Sequence, residues 1–247
     1  MRNNPVIKIC LSGLFLALTI IFTRFFSLQN IPFLPFVRIS IGPALIIFSS
    51  LLLGPFYGAI VGGGSDILGI LLVPSSAYGV NPWFTIVYVF LGILPWCFYK
   101  LSFILKREKL SLIIFIFLLI ALLTFIGIYG FSNEEINNQI YSIETKLIVF
   151  FTLVILSTLM VFLIVIISKN SSSKARTFKI ALTSFLSELI VMLILNSIVK
   201  SLFFEIDFLI IFFFQTLVFF IDVPLNTFVV SFLMTIVDKT NLVRGKI

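Results

Sequence analysis

Eight apolar stretches, separated by short segments that collect most of the lysines and arginines, constrain this chain more than any other feature. A helix needs roughly 20 apolar residues to cross a hydrocarbon core of about 30 Å. The runs at 6–26, 56–73, 83–105, 110–130, 147–168, 178–199 and 209–237 come close to or exceed that length. An eighth run, 40–53, is shorter, and Gly54-Pro55 separates it from 56–73. A Gly-Pro pair favours a tight turn or a helix break, so the long stretch reads as a hairpin of two helices. Composition agrees, with 60% of the 247 residues hydrophobic and only 11% charged. A soluble domain of this length carries more polar surface than that. The expected fold is all-α integral membrane, with eight spans.

Loop charge orients the spans. With the N-terminus in the cytoplasm, the cytoplasmic segments hold Arg2, Lys8, Lys100, Lys106, Arg107, Lys109, Lys169, Lys174, Arg176, Lys179, Lys239, Arg244 and Lys246, which is 13 of the 17 basic residues. The other four, Arg24, Arg38, Lys146 and Lys200, fall at outer helix ends or loops, where Glu134, Glu135, Glu144, Glu205 and Asp207 also gather. Both termini are therefore expected in the cytoplasm.

Several function classes lose support at once. The net charge of +7 sits in loop clusters without aromatic interleaving or zinc-finger spacing, so no nucleic-acid partner is expected. The chain has no histidine, which removes His-based metal sites, Ser-His-Asp triads and His general bases. No nucleophile elbow, metal-ligating carboxylate pair or cofactor fingerprint appears, so neither catalysis, a cofactor nor a metal is expected. Cys10 and Cys97 lie inside apolar segments and read as small packing residues. The stretch from Val6 to Phe26 has the length of a span and lacks an Ala-x-Ala exit, unlike a cleavable signal.

Polar groups inside spans are costly and point to a cavity or a partner. The richest region is the outer half of the first four spans: Arg24, Arg38 in the loop SLQNIPFLPFVRIS, Asp66 in GPFYGAIVGGGSDILG, and Tyr78, Asn81 and Trp83 in PSSAYGVNPWF. Gly58, Gly62, Gly63 and Gly64 allow close helix packing; a phosphate loop is disfavoured because the Walker lysine is absent. Asp66 needs a partner, either Arg24, Arg38 or a ligand. Tyr78 and Trp83 suit either an interfacial belt or stacking on a planar molecule. Residues 188, 192, 195, 196 and 199 share a helical face, which directs Glu188 and Asn196 into a common interior. Lys200 follows, and the last span adds Gln215, Asp222, Pro224 and Asn226. The hairpin 110–168 is almost featureless apart from its polar tip at 131–145.

Residues 38–99 resemble the substrate-binding S components of energy-coupling factor (ECF) vitamin transporters, most nearly the folate-type branch. The features that carry the likeness are RIS opening the second helix, GPxxGxxVGxxSDxxG in the third, and the proline- and glycine-bearing loop before the fourth. SELIVMLILNS and IDVPLNTFVVSFL are similar to that branch's last two helices. The resemblance implies a six-helix bundle that binds a vitamin near the outer surface and joins a transmembrane T component and two ATPases. The S component itself hydrolyses no ATP. It also implies that Gly13 and Ala17, four apart on the first helix, contact the T component. On this reading 1–109 and 169–247 form the six-helix core, and 110–168 is an inserted transmembrane hairpin. Gln215 and Val199 stand where the branch usually has arginine and tryptophan.

The expected function is capture of folate or a pterin-like molecule at a prokaryotic cell membrane. A planar ring would stack on Tyr78 or Trp83, Arg24, Arg38 or Lys200 would compensate an anionic group, and Asp66, Asn196 and Gln215 would read ring edges, with Glu188 facing the same interior. Pantothenate, riboflavin or thiamine, and a non-transporting scaffold or sensor, remain open alternatives.

Overall fold

The computed structural model describes residues 4–29, 38–73, 81–102, 108–133, 135–136, 139–140, 142–170 and 174–239. Its helices are α1 (Pro5–Arg24), α2 (Gly42–Leu53), α3 (Pro55–Leu72), α4 (Pro82–Ser102), α5 (Glu108–Ser132) and α6 (Ile143–Asn170). Next, α7 (Lys174–Ser187) runs through a π-helical segment (Glu188–Leu195) directly into α8 (Asn196–Phe204), and α9 (Phe208–Lys239) follows. With the α7–π–α8 run counted as one, the described residues form eight helices, the number expected. Among the described residues seven are long and apolar enough to cross a bilayer.

The eighth, α2, is the exception and the centre of the bundle. Its 12 residues extend about 18 Å, well short of a bilayer core. It survives because it barely meets lipid: Gly42 to Leu51 and Leu53 are all buried, and α1, α3, α4 and α9 surround it. At one end of the bundle the short strands β1 (Leu28–Gln29) and β2 (Arg38–Ile39) pair antiparallel, Gln29 opposite Arg38. That pairing carries the chain on from the end of α1 and sets Arg38 over the helices.

The break between α2 and α3 has a local cause. Gly54 adopts φ 102° and ψ 170°, a conformation that side chains oppose, while its N–H still closes the last turn onto the Ser50 carbonyl at 3.0 Å. Pro55 then opens α3, where a missing N–H costs nothing. At the start of α1, Asn4 Oδ1 accepts from the Val6 N–H at 3.0 Å and Pro5 follows it.

Glycine sets how closely α3 and α4 pack. A Cβ on Gly58 would collide with the Gly92 carbonyl, and one on Gly62 with the Tyr88 carbonyl. The glycines are therefore packing residues, as the sequence suggests. Cys10 and Cys97 correct another expectation: both are free thiols on the exposed surface of the bundle, facing away from its core.

Two apolar clusters share the remaining packing. One joins α1–α4 to α7 and α9, through Phe15, Ile46, Phe48, Val61, Leu91 and Val230. The other joins α5 and α6 to α7 and α9, through Phe115, Leu119, Met160, Phe185, Phe219 and Phe220.

Candidate functional site

A cavity opens among the elements nearest the β1–β2 pair. Its walls come from the end of α1 (Arg24), β2 and the residue after it (Arg38, Ser40), α3 (Asp66, Ile70) and α4 (Phe84, Tyr88). The π segment adds Glu188, Met192 and Leu193, α8 adds Asn196 and Lys200, and α9 adds Gln215, Phe219 and Asp222. Its room for the centres of water molecules is about 80 Å³. That holds several waters and is far below the few hundred Å³ of a typical small-molecule site, so a larger occupant has to displace side chains.

Arg24 and Asp66 form the best-defined contact, Nη2 to Oδ1 at 3.6 Å with both side chains 6% exposed. Gly69 makes this possible, since a Cβ there would lie 2.7 Å from Arg24 Nε. The other carboxylate oxygen of Asp66 accepts from Thr85 Oγ1 at 2.8 Å. A buried ion pair of this kind needs each remaining lone pair and proton matched, and Thr85 supplies one match. Arg24 Nε has no partner among the described residues.

Arg38 hydrogen-bonds the Tyr88 hydroxyl. Asp222 accepts from the Ser40 backbone N–H and lies within electrostatic reach of Lys200. Glu188 accepts from Asn226 Nδ2 through Oε2 at 3.2 Å. The site therefore gathers three formal cations, Arg24, Arg38 and Lys200, and three carboxylates, Asp66, Glu188 and Asp222. The cations crowd toward the β1–β2 end. Glu188 sits about three turns along the helix from Lys200, at the floor.

Seven sequence-predicted residues line this one cavity: Arg24, Arg38, Asp66, Glu188, Asn196, Lys200 and Gln215. Asn81 and Trp83 do not. They belong to a separate apolar groove with Ile86, Phe90, Leu195, Ile198 and Leu202. Asn81 instead caps α4, its Oδ1 accepting from the Trp83 N–H at 3.0 Å. Trp83 is 63% exposed. Its position on α4 turns it away from the face of Phe84, Tyr88 and Gly92, so the cavity's aromatics are Phe84, Tyr88 and, from α9, Phe219. Tyr78 lies outside the described residues.

The face predicted for the seventh span needs a similar correction. Leu195 and Val199 line the apolar groove, while Glu188, Met192, Asn196 and Lys200 line the cavity. A spacing of four overshoots an α-helical turn but undershoots a π turn, so the π segment carries Glu188 and Met192 into line with Asn196 at the start of α8, and Lys200 follows about one α-helical turn on. Sequence reasoning also passed over Tyr88 and Ser40 as site residues, while Asp222, noted as a polar group of the last span, lines the cavity as well. The signal for Tyr88 was its place midway between Phe84 and the contact glycine Gly92.

Gly13 and Ala17 are exposed on α1, and a Cβ on Gly13 would meet nothing within 4 Å. Among the described residues no group of three His, Cys, Asp or Glu side chains could hold a metal ion.

A bundle of apolar helices around a charged cavity defines an integral membrane protein. The family described as ECF-type riboflavin transporter, S component, matches residues 3–150, more than half of the sequence, and the chain belongs to that family. It is also similar to the folate transporter FolT of Clostridium novyi (strain NT), with 40% identity over 63 residues. That alignment covers 26% of this chain and 34% of the relative, so the chain spans about a third of the curated relative it matches. No solved structure matches.

Proposed function

We propose that the chain captures folate or a pterin-like vitamin in the charged cavity and delivers it to an ECF transporter. The observation that carries this reading is the charge of the site: six formally charged side chains line a cavity inside a membrane protein. Such groups are expensive in a bilayer and are retained where they meet a charged or strongly polar ligand. Folate has two carboxylates for Arg24, Arg38 and Lys200, and a polar ring whose edges Asp66, Asn196, Gln215 and Glu188 can read. The folate transporter among the relatives supports the same choice. Riboflavin is the second reading because the family carries its name, yet that molecule has no formal charge for the site to match.

Transport on this reading needs partners. A T component packs on the exposed Gly13 and Ala17 face of α1, where small residues admit close helix approach, and two ATPases supply the work. The chain itself performs no catalysis. Residues 1–109 and 169–247 form the capturing core and 110–168 an added hairpin, with both termini in the cytoplasm of a prokaryotic cell. The test is purification from cells grown with folate, followed by titration with folate and riboflavin. Folate affinity tighter than micromolar, together with co-purifying T component and ATPases, is the expected result. Transport by the isolated chain in proteoliposomes without ATP overturns the assignment.

A further inference from the structure

The floor of the cavity holds a carboxylate oxygen that the described residues leave unmatched. Glu188 is 2% exposed. Its Oε2 accepts from Asn226, but its Oε1 has no hydrogen-bond partner among the described residues. The charged group acting on it is a second acid, Asp222, whose own Oδ1 also lacks a partner. Asp222 differs in having the Ser40 N–H and Lys200 beside it. A buried acceptor left unmade costs more than an ordinary hydrogen bond gains, and inside a bilayer no bulk water compensates it.

The geometry points to Glu188 as the group that selects the ligand by an edge of adjacent N–H donors, with Asn226 as the positioning residue that holds it. This rests on the vitamin-capture reading and deepens it. A 2-amino-4-oxo-pyrimidine edge, as in pterins, offers a ring N–H and an exocyclic N–H side by side, which a carboxylate accepts as a pair. An isoalloxazine edge offers one N–H between two carbonyls, and those carbonyl lone pairs face the carboxylate unfavourably. Glu188 therefore separates a pterin from a flavin within a family that carries the flavin's name.

The test uses the purified full chain and three ligands: folate, its 2-desamino-2-methyl analogue and riboflavin. Wild type is expected to bind folate at least about tenfold tighter than the analogue. In Glu188→Gln the amide places N–H groups where an acceptor is needed, so folate weakens by about tenfold or more, while the analogue, which keeps only the ring N–H, weakens clearly less. A purely structural role for Glu188 weakens both ligands alike, and that result overturns the inference. So does an unchanged folate affinity in E188Q. If that variant does not fold, wild type alone decides, because equal affinity for folate and the analogue contradicts the assignment. Wild type that binds riboflavin in place of folate sinks this inference and leaves vitamin capture standing. Wild type that binds no vitamin sinks both.

Discussion

Phe115 on α5 meets Phe185 edge-on with ring centroids 4.7 Å apart, and Phe185 meets Phe219 at 5.3 Å. Across the bundle Arg24 meets Asp66 and Arg38 meets Tyr88. The two regions share α7 and α9 as a common wall and differ in nearly everything else. Among the described residues of α5 and α6, Ser157 is the buried polar side chain, and none of them lines the cavity. The α1–α4 side buries Thr19, Thr23, Ser49, Ser50, Ser65 and Asp66.

Their cohesion has different sources. Lipid is as apolar as leucine, so the hairpin gains little by leaving it and holds through dispersion and ring-edge contacts. The α1–α4 side holds through backbone approach at glycine and through matched polar groups. Several of its hydroxyls fold back on their own helix, as Thr19 Oγ1 does onto the Phe15 carbonyl at 2.7 Å, which keeps them satisfied without a partner helix. One side packs apolar groups on apolar groups, and the other encloses a polar interior.

The comparison breaks most readily at the α3–α4 contact. Gly62→Val drives a Cβ into the Tyr88 carbonyl, so no monodisperse protein is expected by size exclusion in detergent. By contrast Gly13→Val has open space around it and is expected to fold normally while losing co-purification of the T component. Next in size is Asp66→Ala, which leaves Arg24 buried without its carboxylate; a stability loss of about 3–5 kcal/mol is expected, together with weakened folate binding.

Phe115→Ala tests the other side. It removes a buried ring from the hairpin cluster, with an expected loss of about 3 kcal/mol in denaturant or thermal unfolding and no change in folate affinity. A stability loss with intact affinity on one side, and both lost on the other, is the signature of the division. Smaller still, Tyr88→Phe removes the hydroxyl that bonds Arg38; folate affinity is expected to fall by about fivefold, the value of one hydrogen bond near 1 kcal/mol. Trp83→Ala is expected to leave folate affinity within about twofold, because that ring faces the apolar groove.

Much of this division could be read in the residues themselves. Gly54-Pro55 announced the α2–α3 break because only glycine suits its backbone and proline suits the first helical turn. The long apolar runs announced the helices. Arg24 and Asp66 were recognisable because charges inside spans require partners. What the residues did not announce depends on rotation and winding. Trp83 and Phe84 are neighbours in sequence, and only the phase of α4 decides which one enters the cavity. Glu188 was drawn into a face with Leu195 and Val199 by assuming α-helical winding, and the π segment changes that phase. The shortness of α2 is a tertiary effect, since a 12-residue helix is tolerated only because its neighbours screen it from lipid.

Hydrogen–deuterium exchange of the purified chain, with and without saturating folate, tests the central claim most directly. Capture in the charged cavity predicts slowed exchange in peptides covering Asp66, Tyr88 and the Glu188–Lys200 stretch, with peptides from 113–166 unchanged. Slowing confined to 113–166, or no change anywhere at saturating folate, would contradict it.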